Sequence, residues 1–562
     1  MSRIEVLNVP REFSQNLQHH LWDRASGYSR QFISHNVPSW HLKFEQETLK
    51  SITPNLTIQN VDKPLGFMRK FTPDGKKLIS FSHNQRYLEV YDFQGVHAAA
   101  NLLQKLTTEC ITAADHSLES LLVRQQVFER LFHLKWAIRV DPGVAPYLLN
   151  REFSIFLEDG RYVLVAATVQ CDSFMLPPIE DLHMFADLYD DCEFLGYAFY
   201  LVDLELGCIS DRIAYQNDCI MLSHNHGVSV HGRIIAVLSK YRQNIDLFEM
   251  LHGKIVKLTS IGDFRNDLDA SLFMKLPENS TFGLRMSVNK LPLSFLKQRI
   301  LTHLYRNILA KESKETQGHQ LQKFYENYHI YERMLLSKIQ LINEDHILIR
   351  YEEREGESIA HGKEPLDFKL YVFYCISDGT IVRVFQKDSI ELLYILRDFC
   401  DNFRNVRSLQ TKRPSSSPSN NIHFRAAFNS AINAVPGGKN EAALRFNPTL
   451  PISTQSFATT QYMDYSLFNY DDRLISAMER PKISSLEPIK FSDRNTNITK
   501  FRLFLESPIL RFDSDSGAVN ICRELVAFIF HPYEPLFISI QKMSTRYIVN
   551  FHIYNKGTVV QR

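Results

Sequence analysis

Short apolar runs separated by polar turns recur along this chain. In "KFTPDGKKLISFSHNQRYLEVYDF", Lys70 to Phe93, three apolar runs are separated first by a turn with Pro73 and Gly75 and then by a polar turn. Apolar runs of this length, bounded by Pro, Gly, Asn and Asp, are typical of β-strands joined as antiparallel hairpins. The pattern therefore predicts a three-stranded unit near the start of the chain.

The same unit recurs at the other end of the chain. "FHPYEPLFISIQKMSTRYIVNFHIY", Phe530 to Tyr554, repeats the order of apolar run, Pro-bearing turn, apolar run, polar turn and apolar run. Other segments place a Gly or acidic turn before an apolar run, so each predicts a further strand. These segments are 156–169, 224–250, 342–353 and 469–480.

Repeated hairpins of this kind need neighbours, because one unit cannot bury both of its faces. Radial stacking of four-stranded blades buries both faces and leaves only short edges. We predict an all-β chain with helical insertions, folded as an irregular WD-repeat-like β-propeller with seven blades. The likeness of the first and last units indicates where the ring closes. A pair of β-sandwiches is the alternative.

The segment before the first strands has helical rather than strand periodicity. Phe13, Leu17 and Leu21 recur every four residues, and Trp22 lies beside them. This spacing predicts an amphipathic helix from Arg11 to Gly27. Such a helix either packs on the body of its own chain or inserts into the groove of a partner. We divide the chain into an N-terminal extension, residues 1–50, and a body, residues 51–562.

Four insertions interrupt the strand pattern of the body. Two apolar stripes of helical spacing predict a helical hairpin at about 291–338, and a further helix is predicted over 391–406. A Ser/Pro-rich linker occupies about 408–424, and six carboxylates crowd the segment 177–194. A solvated loop is the simpler interpretation of that acidic segment.

Composition narrows the class of protein. The chain has 562 residues with 64 Lys+Arg and 63 Asp+Glu, so its net charge of +1 argues against a general electrostatic role on nucleic acid or membranes. Its eight cysteines are scattered singly, which argues against a zinc finger and favours reduced, buried thiols. The N-terminus carries charges and a proline where a signal peptide needs an apolar run. We expect a protein of the cytosol or nucleus.

Motifs that carry catalysis or bind metals are weak or missing. His224, His226 and His231 could supply zinc ligands, but Gly227 between them predicts a turn. "VPGGKN", 435–440, lacks the first Gly and the Ser/Thr of a phosphate loop, and no G-x-S-x-G or H-E-x-x-H is present. We expect no catalytic residue, no metal and no cofactor. A hydrolase-like propeller with a histidine metal site stays open as an alternative.

Longer strings resemble one known family. "PNLTIQNVDKPLGFMRKFTPDGKKLISFS" (54–82), "LSHNHG" (222–227), "LPISTQSF" (450–457), "SLFNYDDRLISAMERPK" (466–482) and "FHPYEPLFISIQ" (530–541) are similar to the De-etiolated-1 family. The resemblance runs in order from near the N-terminal helix almost to the end of the chain. It is poorest in the acidic insertion, the helical hairpin and the Ser/Pro-rich linker.

The resemblance implies a function that spacing and charge do not. Members of this family are nuclear, non-enzymatic components of cullin-4 ubiquitin ligases. They bind the large subunit of damage-specific DNA-binding protein, which is a propeller adaptor, together with a small accessory subunit. They also work with the constitutive-photomorphogenic RING ligase and a ubiquitin-conjugating enzyme, and they promote ubiquitination and proteasomal degradation of transcription factors. The implied location is the nucleus, with the cytoplasm as a second compartment.

The resemblance also gives the N-terminal helix a candidate role. Receptors for this adaptor commonly insert a short helix into it, so Phe13, Leu17, Leu21 and Trp22 become the predicted adaptor-binding residues. A different function remains open, namely a chromatin-binding propeller that represses transcription and binds histones through its acidic loop. That alternative predicts binding that weakens strongly as salt is added.

Overall fold

The computed structural model describes fourteen stretches of the chain. The described residues are 48–140, 147–157, 160–170, 195–262, 295–310, 314–352, 368–403, 422–452, 460–475, 487–505, 510–512, 519–521, 523–543 and 546–558.

Strands dominate the described part. In chain order they are β1 (Leu56–Ile58), β2 (Gly66–Phe71), β3 (Lys77–Ser82), β4 (Tyr87–Phe93), β5 (Cys110–Ile111), β6 (Phe132–Arg139), β7 (Leu148–Leu157), β8 (Tyr162–Gln170), β9 (Leu195–Asp203), β10 (Cys208–Asp218), β11 (Val228–His231), β12 (Ile234–Ser239), β13 (Asn244–Leu251), β14 (Lys254–Ile261), β15 (Leu335–Leu341), β16 (His346–Glu352), β17 (Lys369–Cys375), β18 (Thr380–Gln386), β19 (Phe468–Asn469), β20 (Ile489–Asp493), β21 (Thr499–Leu503), β22 (Leu510–Phe512), β23 (Val519–Ile521), β24 (Arg523–Phe530), β25 (Leu536–Met543) and β26 (Arg546–Ile553).

Helices lie between these strands. They are α1 (Ala100–Leu103), α2 (Leu118–Leu131), α3 (Phe295–Leu309), α4 (Lys314–Glu326), α5 (Tyr328–Arg333), α6 (Ile390–Asp398), α7 (Cys400–Phe403), α8 (Ile422–Asn433) and α9 (Gly438–Phe446). No helix of the described residues is long and apolar enough to cross a membrane.

The strands form consecutive sheets, each built from strands that are close in sequence. Sheet I contains β2, β3, β4 and β6, sheet II contains β7 to β10, sheet III contains β11 to β14, and sheet IV contains β15 to β18. Sheet V contains β19 to β21, and β22 pairs with β23. Sheet VI contains β24, β25 and β26, followed by β1 and then β5. The chain is thus mostly β with helical insertions, as predicted.

Alternating side chains pack each sheet between two neighbours. Successive residues of one strand point to opposite faces, so adjacent apolar residues enter different cores. Five cores join the sheets in the order V, VI, I, II, III and IV. The sixth core joins sheet IV to α6, α7 and the segment after α9. Adjacent residues that divide between two cores in this way are Leu78/Ile79, Val163/Leu164, Ile235/Ala236, Ile347/Leu348 and Phe537/Ile538.

Most of the predicted strands occur at the predicted places. The opening unit becomes β2, β3 and β4, and the closing unit becomes the end of β24 with β25 and β26. The two similar units are also neighbours in space, because sheets I and VI share one core. One prediction is wrong, since Arg473 to Ile475 do not form a strand. Asp471 accepts the N–H groups of Leu474 and Ile475 through its carbonyl, which closes a helical turn there.

Helices occur where apolar side chains recur at helical spacing. α3, α4 and α5 pack on sheets III and IV, and Phe324 and Tyr331 of the predicted stripes are buried in that core. α6 begins at Ser389, whose hydroxyl accepts the N–H of Leu392 at 3.3 Å. The predicted domain boundaries themselves stay predictions. The prediction of buried thiols is wrong for Cys208, which is exposed at the first position of an outer strand.

Candidate interaction site

The predicted adaptor-binding residues lie outside the described part of the chain. Phe13, Leu17, Leu21 and Trp22 all precede residue 48, where the description begins. The acidic segment 177–194 and most of the Ser/Pro-rich linker also lie outside it. The site that can be built from contacts is therefore the place where the N-terminal extension joins the body, which we call the closing junction. It comprises residues 48–62, β26, β5 and α2.

The extension is fixed to sheet V as soon as it enters the described part. Lys50 Nζ lies 3.1 Å from Asp493 Oδ2, and both side chains are buried. Burial alone would raise the pKa of Asp493, but N–H groups of Thr496 and Asn495 and the Lys50 ammonium lower it. Tyr462 also donates its hydroxyl to the carbonyl of Ile52 at 2.7 Å. These contacts hold the base of the extension in one place.

Strand β1 then completes sheet VI from the opposite end of the sequence. It pairs antiparallel with β26, so that Leu56 faces Ile553 and Ile58 faces Phe551. On its other side it pairs in parallel with β5, which belongs to an excursion between β4 and β6 of sheet I. The strand is therefore held by the C-terminal strand and by a segment from the neighbouring sheet.

A buried polar chain fixes the register of β1. Thr57 Oγ1 lies 2.9 Å from His552 Nδ1, and Ser539 Oγ lies 3.0 Å from His552 Nε2. One nitrogen of the neutral ring donates and the other accepts, so His552 joins the two hydroxyls, and Thr57 Oγ1 also accepts the N–H of Phe504 at 3.3 Å. Complete burial lowers the pKa of His552 to about 3, so the ring is neutral.

Asparagines extend this network to both ends of the strand. Asn550 donates to Gln541 Oε1 at 2.9 Å and accepts the N–H of Asn60 at 3.0 Å. The side chain of Asn55 binds both backbone groups of Asn555: its Nδ2 donates to the carbonyl at 2.9 Å, and its Oδ1 accepts the N–H at 2.8 Å. A shift of one residue would break all of these bonds and turn every side chain of β1 to the other face.

A second histidine joins sheet VI to the first turn of sheet I. His531 Nδ1 accepts the N–H of Glu534 at 2.7 Å, so the proton lies on Nε2, which donates to the carbonyl of Gly75 at 2.9 Å. Burial lowers the pKa of His531 to about 4. Gly75 has φ 73°, and a Cβ there would lie 2.6 Å from the imidazole of His531. Glycine is therefore required at this turn.

Helix α2 covers the closing junction from outside. Ser117 caps it by accepting the N–H of Ser120 at 3.3 Å, and Val127, Phe128 and Leu131 enter the core that sheets I and VI share. Its outer face is apolar at the first turns, because Leu118 and Leu122 are 86% and 47% exposed.

A loop beside this helix carries another exposed leucine. The N–H of Asp62 donates to the carbonyl of Arg124 of α2 at 3.0 Å, which places the loop between β1 and β2 against the helix. Leu65 of this loop is 79% exposed. Leu118 and Leu65 are the two most exposed large apolar side chains of the described residues. Neither α2 nor its position on sheet VI was predicted from the sequence.

The histidine segment shows no metal site among the described groups. Ser223 to Asn225 form a turn, as Gly227 predicts, and His231 begins the hairpin to β12. Burial lowers the pKa of His231, although Glu344 acts in the opposite direction. Over the described stretches, no three His, Cys, Asp or Glu side chains could hold a metal ion together.

One family-like string is anchored to sheet IV. Arg350 donates from Nη1 to the carbonyls of Pro448 and Leu450, at 3.0 and 2.8 Å. Gln340 accepts the N–H of Ile452 at 2.8 Å. The buried arginine and glutamine thus fix the start of "LPISTQSF" by its backbone, which sequence reasoning missed because neither residue lies in the string.

These features define a mostly β protein of consecutive, mainly antiparallel sheets. One of these sheets combines β1 with β24, β25 and β26, and helices pack on the sheets. A family model described as De-etiolated protein 1 Det1 matches residues 151–555. The chain belongs to this family.

Two relatives extend the similarity over nearly the whole chain. The light-mediated development protein DET1 of Solanum lycopersicum is 28% identical over 523 residues, covering 90% of this chain and 93% of the relative. The protein of the same name from Arabidopsis thaliana is 27% identical over 541 residues, covering 90% and 94%.

Solved structures give only distant similarity. The β-propeller domain of Myceliophteria thermophila Cps50 (Swd1) has a TM-score of 0.31 at 10% identity, covering 88% of this chain and 98% of that one. The Dos1 propeller has a TM-score of 0.28 at 8% identity, covering 91% and 96%. Scores this low carry no argument, so the description of the fold depends on the sheets themselves.

Proposed function

We propose that this protein is a non-enzymatic scaffold and substrate receptor of a cullin-4 ubiquitin ligase. It binds the propeller adaptor and its small accessory subunit, and it brings a constitutive-photomorphogenic RING ligase and a ubiquitin-conjugating enzyme to transcription factors. It acts in the nucleus. The observation that carries the proposal is membership of the Det1 family, matched over residues 151–555.

We infer that the sheets form an irregular β-propeller, which suits the role of a scaffold. Six sheets of at least three strands occur in the described part, and shared cores join them in the order V, VI, I, II, III and IV. A propeller offers its partners a large rigid surface without needing a catalytic centre. The seven-blade count stays a prediction.

The closing junction supports the predicted anchor. Residues 48–62 are held by an ion pair, by buried hydrogen bonds and by pairing on both sides of β1. An adaptor bound by residues 1–47 would therefore be linked to the body through a fixed base.

Co-purification with the adaptor tests the proposal. Full-length wild-type protein should bind stoichiometrically, and Leu21→Asp should weaken binding at least tenfold, since burying one leucine is worth about 1.5–3 kcal/mol. Leu206→Asp is the matched control, because Leu206 is 65% exposed at a turn of sheet II. Absence of wild-type binding would contradict the function, whereas equal binding by both variants would contradict only the anchor.

A further inference from the structure

Helix α2 presents an apolar stripe of defined spacing to the outside of the closing junction. Leu118 and Leu122 are four residues apart and exposed, so they lie about 6 Å apart on one face of the helix. The helix is already satisfied on its inner face, where Val123, Val127 and Leu131 are buried. Its outer leucines therefore contribute nothing to the core and are available to another element.

Acidic groups surround the first turn of this stripe. Glu119 is exposed next to Leu118, and Asp62 is exposed in the loop that lies against α2 at Arg124. A hydrogen bond from the Ser120 hydroxyl, with the N–H of Ser117, lowers the pKa of Asp115, so this carboxylate is also ionised. The matching surface must have apolar side chains four residues apart with a cation next to them.

The N-terminal extension contains this complementary pattern. Leu17 and Leu21 are four residues apart, Phe13 precedes them by one turn, and Arg24 follows by about one turn on the same face of the predicted helix. Glu12, by contrast, falls on the opposite side of that helix. The apolar stripe thus ends in a positive charge, as the surface of α2 requires.

The tether between the two elements is long enough. Twenty residues, 28–47, separate Gly27 from Thr48, and they can span up to about 65 Å. The described chain then enters sheet VI within a few residues, at β1. Because α2 covers the core to which β1 contributes, the tether ends at the same junction as the stripe.

We propose that, in the free protein, residues 11–27 dock on α2 as an antiparallel helix. Leu21 packs on Leu118, Leu17 packs on Leu122, and Arg24 lies next to Asp115. Antiparallel packing also brings helix ends of opposite partial charge together. The docked state covers Leu17 and Leu21, two of the residues predicted to bind the adaptor, so the adaptor must displace them from α2. This regulatory consequence rests on the proposed function, whereas the docking itself does not.

Hydrogen exchange of the full-length protein tests the docking without any partner. Amides of residues 13–24 should be protected at least tenfold in the wild type and should lose that protection in Leu118→Lys/Leu122→Lys. Both positions are exposed and lysine is a good helix former, so the body should keep its fold. Leu206→Lys is the control. Lack of protection in the wild type, or equal loss in the control, would overturn the proposal.

A charge exchange tests the predicted orientation. Asp115→Arg should reduce the protection of residues 13–24, and adding Arg24→Asp to the same chain should restore it. A merely structural role of Asp115 at the start of α2 would not be rescued by a change in the extension. Failure of the second substitution to restore protection would overturn the antiparallel pairing.

Affinity for the adaptor separates this proposal from the proposed function. Releasing the helix by Leu118→Lys/Leu122→Lys should tighten adaptor binding about 3–10-fold relative to the wild type. Unchanged or weaker binding would overturn self-docking while leaving the receptor function intact. If the wild-type protein does not bind the adaptor, the proposed function fails, and the exchange experiment alone decides whether the helix docks.

Discussion

Sheets II and VI both consist of antiparallel strands, apart from the parallel pair of β1 and β5 in sheet VI, but they are fixed by different chemistry. In sheet II every residue from Val163 to Ala167 is buried and apolar. In sheet VI the buried positions include Thr57, Ser539, Asn550 and His552, which bind one another.

The origin of the strands explains this difference. The strands of sheet II follow one another along the chain, so their turns help to set the register. Strand β1, in contrast, meets β26 across 495 residues and has no turn to guide it. Apolar side chains tolerate a slipped register, whereas buried donors and acceptors do not, because each unpaired group costs about 1–3 kcal/mol. The polar network thus fixes the register of β1, as turns help to fix the register of the strands in sheet II.

The largest effect is expected when one buried side chain of each sheet is replaced by another of similar volume. Asn550→Leu keeps the volume but leaves the N–H of Asn60 and the oxygens of Ser539 and Gln541 without this partner, so we expect a loss of about 3 kcal/mol. Leu164→Met in sheet II should cost only about 1 kcal/mol. Urea unfolding of both variants checks the difference, and equal losses would contradict it.

Acid should weaken sheet VI more than sheet II. His531 and His552 have folded pKa values of about 4 and about 3, below their ordinary value of 6.5. The unfolded chain therefore binds more protons below pH 6.5, and stability falls as the pH falls from there toward 4. By pH 5 each histidine should cost about 2 kcal/mol.

Thermal unfolding between pH 7 and pH 5 measures this acid sensitivity. His531→Gln removes one of the two titrating groups, so its melting temperature should depend less on pH than that of the wild type. Urea unfolding of the same pair at pH 5 gives the free energy directly. A variant with the full wild-type pH dependence would show that the lowered pKa of His531 does not act on folding.

A smaller difference between two variants is expected at the turn between sheets I and VI. Gly75→Ala places a Cβ at 2.6 Å from His531 on a residue with φ 73°, so about 2–3 kcal/mol should be lost. Gly438→Ala has a similar φ of 78° with no atom within 4 Å, and should cost about 1 kcal/mol. If the two substitutions cost the same in urea unfolding, contact with the histidine would not matter.

The sequence predicted local features well and long-range ones only partly. Alternating apolar runs and Gly or Pro turns located β2 to β4 and β24 to β26, because these depend on neighbouring residues. The likeness of the two units also predicted that they would meet. The strand predicted after Asp471 and Asp472 is absent from its described part, since the carbonyl of Asp471 closes a helical turn instead.

The candidate site was largely beyond sequence reasoning. His552 and Asn550 occur in an ordinary strand pattern, and only their pairing with β1 reveals a polar network. Likewise, α2 was not predicted from the sequence, and nothing in its pattern shows that it covers sheet VI or which leucines stay outside. Such features depend on contacts between residues hundreds of positions apart, which a single sequence does not encode locally.

The pairing of β1 with β26 can form only after β26 has been synthesised. Thr57 is made early, yet its partner His552 follows 495 residues later, which takes about 25–100 s at usual rates of synthesis. Throughout that interval the edge of β1 that pairs with β26 is unpaired, and other chains could bind it. If synthesis ends before Ile553, the released polypeptide cannot complete sheet VI, even when its other sheets have formed.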